Sequence, residues 1–331
     1  MNKRERLEAA IHGQPVDRVP IALWRHFPGD DQRPDDLAAA TVAWQRRWDF
    51  DFVKVTPASS FCLRDWGVDD EWLGNIEGTR DYTRHPIRTP HDWLSLTPLD
   101  PAAGYLGNQL RCLESIRAEL PDTPIIQTIF SPLAQAKNLV GADWVAMLRT
   151  HPREAHHGLE TIAATTVEFI RAARSTGIDG IFYAVQHASA QVMSEDEYRA
   201  FGVEYDRRIL AECGDFWLNV LHLHGDAVYF DLLADYPVQV WNWHDRETPP
   251  DLRGGLERVR GAVCGGIARD ATMLRGTPDQ VQAEASDAVR QTGGRRLIIG
   301  TGCVAMIPSP DANLRAAHSA VQSGTHSHQF S

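Results

Sequence analysis

Residues 220–225 read VLHLHG, and the chain later reads TGCV at 301–304. Alternate residues of a strand point the same way, so His222 and His224 can aim two imidazoles at one place. A thiolate at the end of another strand on the same rim, Cys303, can join them. Two histidines and one thiolate are a sufficient ligand set for a catalytic zinc, whose fourth position is left for water or substrate. The same three residues also suit a hydrogen-bonded pair of core histidines beside a buried free thiol, since cysteine is among the most buried residue types. Spacing alone leaves both readings open.

Other polar residues collect where apolar runs end. VPIAL (19–23) is followed by Trp24, Arg25 and His26, and DFVKV (51–55) begins with Asp51 and carries Lys54. GIFYAV (180–185) leads to Gln186 and His187, VQVWNWH (238–244) ends in His244 next to Asp245, and AVCGGI (262–267) leads to Arg269 and Asp270. Arg25 can hold a substrate carboxylate through two parallel hydrogen bonds, or pair with Asp30 or Asp31. Gln186 and His187 are expected on the substrate side of the same rim. His244 and Asp245 suit a proton carrier and its orienting carboxylate, or plain bonds to loop backbone. Asp51 and Lys54 fall on opposite faces of their strand, so at most one enters the interior. A solvated or paired charge is expected of Lys54; Asp51 is either a cap or ion-pair partner, or a functional carboxylate.

The elements that must position these groups follow from periodicity. With PIIQTIF (124–130), FWLNVLHLH (216–224) and RLIIGTG (296–302), eight short apolar runs recur, separated by segments with helical spacing such as 156–177 and 277–294. Eight buried parallel strands with crossover helices predict a single (α/β)8 TIM barrel, in which catalytic groups sit at the strand C-termini. The expected layout is one domain over 1–322 with an N-terminal helix and an insertion after the second strand. That insertion, 56–123, is rich in Trp, Asp and Pro and reads as a cover over the barrel mouth. The polar tail 323–331 reads as a flexible terminus.

Bulk properties narrow the partners. The net charge is -11 and the arginines are scattered, which argues against a nucleic-acid footprint and for a small-molecule substrate. No apolar run approaches the ~20 residues of a membrane span and no signal-peptide core follows MNKRERLEAA, so a cytoplasmic protein is expected. Five cysteines without a C-x-x-C pair suggest free thiols.

Taken together, RERLEAAIHGQPVDRVPIALWR, DFDFVKVTP, HASAQVMSEDEYRAFGVEYDRRIL and IIGTGCVAMIPSPDANLRAAHSAV resemble the uroporphyrinogen decarboxylase superfamily over nearly the whole chain. The resemblance implies an (α/β)8 barrel and two kinds of chemistry. True decarboxylases use no cofactor and resemble one another in an Arg-Gln-Ala-Gly-Arg segment that grips acidic side groups. Here the matching stretch is WRHFPGDD; Arg25 fits the first arginine, the second is missing, and two aspartates stand nearby. Asp51 matches the decarboxylase aspartate. The zinc-dependent methyltransferases, which pass a methyl group between a corrinoid protein and a thiol, carry His-any-Cys-Gly where this chain has His222, Leu223, His224 and Gly225, and a cysteine matching Cys303. The resemblance is therefore closer to the methyltransferase branch, with His222, His224 and Cys303 as the implied zinc ligands, and histidine replacing the middle thiolate.

The expectation is a zinc-dependent methyltransferase or demethylase, the metal activating a thiol or other nucleophile, with a corrinoid as possible methyl carrier and a corrinoid protein as partner. Asp245 is the first choice to orient a ligand histidine. The alternative is a metal-free decarboxylase in which Arg25 holds a carboxylate and Asp51 stabilises developing positive charge.

Overall fold

In the computed structural model, which describes residues 1–322, the alternating runs curl into a parallel sheet wrapped by helices. Among the described residues the strands are β1 (Val53–Val55), β2 (Asp69–Glu71), β3 (Asp81–Arg84), β4 (Ile125–Phe130), β5 (Gly180–Val185), β6 (Val220–Leu223), β7 (Val240–Trp243), β8 (Ala262–Ile267) and β9 (Leu297–Thr301). β2 and β3 pair antiparallel as a separate ribbon, and the other seven pair in parallel in the order β1-β4-β5-β6-β7-β8-β9. Each of these seven is buried along its whole length. Helices cover one face and packed side chains the other, which is why the runs are continuously apolar rather than alternating.

The expectation of a full first strand over 19–23 is corrected. That segment makes a single parallel bridge, Ile21 with Ile299. Pro20 lacks an N–H and so cannot donate to a ladder, which keeps the pairing short. The bridge still touches both edges of the sheet. Ile299 N–H donates to Pro20 O at 2.8 Å, Ala22 N–H donates to Ile299 O at 3.0 Å, and Asp51 N–H donates to Ile21 O at 2.9 Å.

The helices begin and end where local chemistry requires. In Pro278–Thr292, Thr277 and Gln280 form a reciprocal capping box, proline occupies the first turn, and Gly293 ends the helix at φ 63°. The N-terminal helix Lys3–Ile11 is capped in the same way by Asn2 and Glu5.

The 56–123 segment divides in two. Gly104–Glu119 is an ordinary crossover helix packed against Pro34–Trp48, a part that the reading as one long insertion had merged with the rest. Residues 59–94 hold two short 3-10 turns, the β2–β3 ribbon and the helix Pro90–Leu94. Arg80 ties the ribbon down, lying 3.1 Å from Asp70 and 3.4 Å from Asp31. The expected flexible tail at 323–331 lies outside the described residues, within which no helix is long and apolar enough to cross a membrane.

Candidate metal centre

The parallel register sets His222 of β6 beside Ala184 of β5 and Asn242 of β7. The Asn242 amide group donates to Cys264 O at 2.9 Å and Thr301 O at 3.0 Å, which turns its Oδ1 toward His222 Nδ1 at 2.7 Å. An amide oxygen only accepts, so this network places the His222 proton on Nδ1 and leaves a lone pair on Nε2. His244 is held by the same logic. Its Nδ1 lies 3.0 Å from Glu247 Oε2, and its buried Nε2 has no hydrogen-bond partner. His224 Nδ1 lies 3.4 Å from His222 Nε2 and 3.7 Å from Cys303 Sγ.

Two glycines let these groups converge. Gly225 adopts φ 91° directly after His224, turning the chain out of the strand. At Gly302 a Cβ would stand 2.7 Å from His244 Cα and 2.8 Å from Trp243 O, so only glycine lets the backbone before Cys303 pass so close to the end of β7. As a result His222, His224, His244 and Cys303 each bring one ligand atom within 4.8 Å of one another. Three imidazole nitrogens and one thiolate, two of the histidines already fixed in the ligating tautomer by Asn242 and Glu247, are a donor set that fits zinc.

The electrostatics agree with that fit. Burial alone would push the Cys303 thiol up, but His222, His224 and His244 overcome it and hold the thiol well below its usual range. Burial lowers His222 despite the thiolate beside it. For His244 burial is outweighed by Cys303 and Glu247, and the net direction is upward. Phe182 stacks on His222 at 5.2 Å between ring centroids, closing the apolar side of the group. His187, which burial pushes down to about 3, sits against Trp144 at 4.8 Å between ring centroids.

The other expected residues scatter. Gln186 lines a cavity of about 260 Å³ at the mouth, with His26, Ser59, Lys137 and Tyr82. Thr79 and Arg80, from the turn between β2 and β3, also line it. Arg25 turns away from the interior: its guanidinium lies over Trp44 at 4.9 Å and Phe27 at 5.1 Å, and reaches Ile307 O at 3.4 Å. Asp245 accepts from Gly266 N–H at 3.1 Å and lies 3.8 Å from Arg246; the carboxylate on His244 is that of Glu247. Asp51 sits at the opposite, N-terminal end of β1. Its carboxylate takes Arg6 Nη1 at 2.7 Å, Arg18 Nη1 at 2.7 Å and the Ile21 N–H at 2.7 Å. The single cavity lined by Arg25, Asp51, Asp245 and the histidines is therefore not what the fold builds.

Sequence reading took His244 for a proton carrier rather than a donor and expected a solvated or paired charge of Lys54, and it missed Asn242 and Glu247. Two signals were present. Asn242 lies two residues before His244, hence on the same strand face, and Glu247 lies three after it in the following turn. Lys54 shares its face with Phe52, and alternation admitted either it or Asp51 to the interior. The structure admits Lys54, which is 8 % exposed.

Comparison with known proteins bears on the same chain. The profile of the family described as uroporphyrinogen decarboxylase (URO-D) matches residues 2–324. The methylcobamide:CoM methyltransferase MtbA of Methanosarcina mazei is 24% identical over 333 residues, covering 94% of this chain and 95% of that protein. A uroporphyrinogen decarboxylase of Rhodococcus opacus is 29% identical over 157 residues, covering 45% of this chain and 42% of that enzyme. A solved methyltransferase from Methanosarcina mazei superposes with a TM-score of 0.86 over 98% of this chain and 99% of its own, at 20% identity.

Proposed function

From the premise that this chain belongs to the uroporphyrinogen decarboxylase family, we propose that it is a zinc-dependent methyltransferase or demethylase acting on a small molecule, with a corrinoid or corrinoid protein as methyl carrier. Its class is transferase, the class of the relatives that match it along nearly the whole length. The one observation that carries the metal is the convergence of His222, His224, His244 and Cys303 within 4.8 Å. A bound zinc there would supply a Lewis acid that lowers the pKa of a thiol or water entering as a further ligand beside the four donors.

The chain's own residues do the rest. Asn242 and Glu247 hold two imidazoles in register, which fixes the donors before any acceptor arrives. Glu247 keeps the His244 proton on Nδ1 and so makes Nε2 the more basic, ligating nitrogen. Phe182 and Trp24, both buried, keep the inner wall dry and so strengthen the electrostatic interactions inside it. We read the seven strands together with the 20–22 bridge as an (α/β)8 barrel forming one domain over 1–322. The decarboxylase alternative finds no support in the geometry, since Arg25 and Asp51 point to different places away from the mouth cavity.

The test is metal content with methyl transfer. Purified protein should hold about one equivalent of zinc, as a single four-donor site requires. His222→Ala should lose both the zinc and transfer from a methylated corrinoid to small thiols. Well under half an equivalent of metal in the wild type, with unchanged content in His222→Ala, would remove the proposal.

A further inference from the structure

In the turn between β2 and β3, Leu73 is 68% exposed, and Trp72 and Ile76 stand out to solvent beside it. Apolar burial therefore does little to hold this turn down. The turn is instead bonded within itself. Trp72 Nε1–H donates to Asn75 O at 2.9 Å, Glu77 N–H to Asn75 Oδ1 at 2.8 Å and Gly78 N–H to Asn75 O at 3.0 Å. Those bonds need not break when the turn moves, so residues 72–78 make one small body. Its base is fixed, since Asp70 and Arg80 share a network with Asp31 and Arg64, two carboxylates and two guanidiniums whose charges balance.

The far side of this body is docked lightly. Among the described residues two polar contacts join 72–78 to the segments after β8 and β9. Arg269 Nη2 lies 2.9 Å from Glu77 Oε1, and Ile307 N–H donates to Ile76 O at 2.8 Å. A Cβ on Gly78, at φ 82°, would stand 2.4 Å from His26 Cβ, so glycine alone lets the two backbones close on each other. Gly78 and His26 both line the 260 Å³ cavity, which makes their seam a boundary of the way in. Breaking the ion pair isolates neither partner. Glu77 is already part-exposed and gains water, while Arg269 keeps the Cys303 charge, which together with Glu77 outweighs the lowering effect of burial on that guanidinium.

The cavity is small beside the methyl donor. Drug-sized ligands occupy clefts of roughly 300–1,000 Å³, and a corrin macrocycle is larger than such ligands, so it does not pass the seam while the seam is shut. We propose that residues 72–78 form a strap, latched by Glu77 on Arg269 and seated by Gly78 on His26, which swings away to admit a ligand too bulky for the cavity. Only the identity of that ligand as a methylated corrin rests on the methyl-transfer reading.

Two measurements on the full chain test the strap without turnover. Hydrogen exchange at the Ile307 amide reads it directly, because that N–H is freed when Ile76 lifts. Glu77→Gln should speed this exchange at least ~10-fold, the ratio set by one charge-assisted hydrogen bond, with the β4–β8 amides unchanged. Alkylation after chelator treatment reads access. The three histidines hold the Cys303 thiol low, whereas burial pushes Cys62, Cys112 and Cys213 up to about 12 and raises Cys264 too, so Cys303 is the thiol that reacts. Fluorescein-5-maleimide should react ~10-fold faster with Glu77→Gln than with the wild type, in step with the exchange, while iodoacetamide, which fits the cavity, should react alike with both. Gly78→Ala keeps both charges but cannot reseat on His26, and should reproduce these effects. Wild-type exchange at Ile307 in either variant, or an equal gain for the large and small reagents, overturns the strap. Methyl transfer from free methylcobalamin to 2-mercaptoethanol should also rise in Glu77→Gln. No transfer by any of the three proteins, with exchange and alkylation as expected, rejects the methyl-transfer reading and keeps the strap.

Discussion

The sequence resemblance sets His224 where the methyltransferases carry a cysteine, and on the proposed metal reading that exchange alters the charge of the centre. Neutral imidazoles with the single Cys303 thiolate leave a divalent ion at a net charge of +1, whereas a second thiolate would neutralise it. The less thiolate-rich site is the harder Lewis acid, so oxygen ligands compete better and metal choice broadens. His224→Cys should keep zinc and narrow the choice, so that competition between zinc and manganese favours zinc more strongly than in the wild type. His224→Ala should bind zinc at least about tenfold more weakly, since it removes a ligand and not merely a supporting group. Metal content after incubation with both ions decides this, and equal zinc in all three proteins would strip the HLHG stretch of any metal role. The residue types here were legible in the sequence: His222, His224 and Cys303 do converge. The fourth donor was not, because His244 meets them only through the register of β6 with β7.

At the scale of elements, Asp51 shows how a carboxylate that matches a functional residue by sequence can serve another position. It precedes β1, and its two oxygens join Arg6 of the N-terminal helix, Arg18, and the Ile21 N–H, all at the N-terminal rim. It therefore clamps the first helix and the 18–21 segment onto the edge of the sheet. Asp51→Asn leaves two arginines around a neutral amide and should cost about 3 kcal/mol in denaturant unfolding, the size expected when one partner of a buried ion pair is removed. Zinc content should remain at the wild-type level. A variant with unaltered unfolding but impaired turnover would instead return Asp51 to the catalytic machinery. Strand alternation correctly limited the interior to one of Asp51 and Lys54, but which one depended on how β1 is seated between β4 and the bridge segment.

For the whole molecule, the proposed consequence of the 20–22 bridge is ring closure. If that short segment joins β9 to β1 as the eighth stave, the amides of Ala22, Ile299 and Asp51 open only when the ring opens. Their hydrogen-exchange protection should then fall within about tenfold of that of the β4–β8 amides. Fast exchange at those three positions, with slow exchange across β4–β8, would describe an open seven-stranded sheet.

The sequence by itself determined the class of architecture, because buried parallel strands demand continuous apolar runs and crossovers demand helical spacing between them, and both periods are written in local composition. It also determined the chemical types at the rim, two alternating histidines and a thiol. Tertiary structure alone decided which polar residues share a space. Facing across a curled sheet is fixed by strand register, and a register is set jointly by all the strands, so nothing local to His244 states that it adjoins His222, and nothing local to Lys54 states that it meets Phe182. The same reasoning explains why Arg25 and Asp245 left the group: each sits one residue from a member that faces inward, Trp24 and His244, and in extended chain a step of one residue is a change of face.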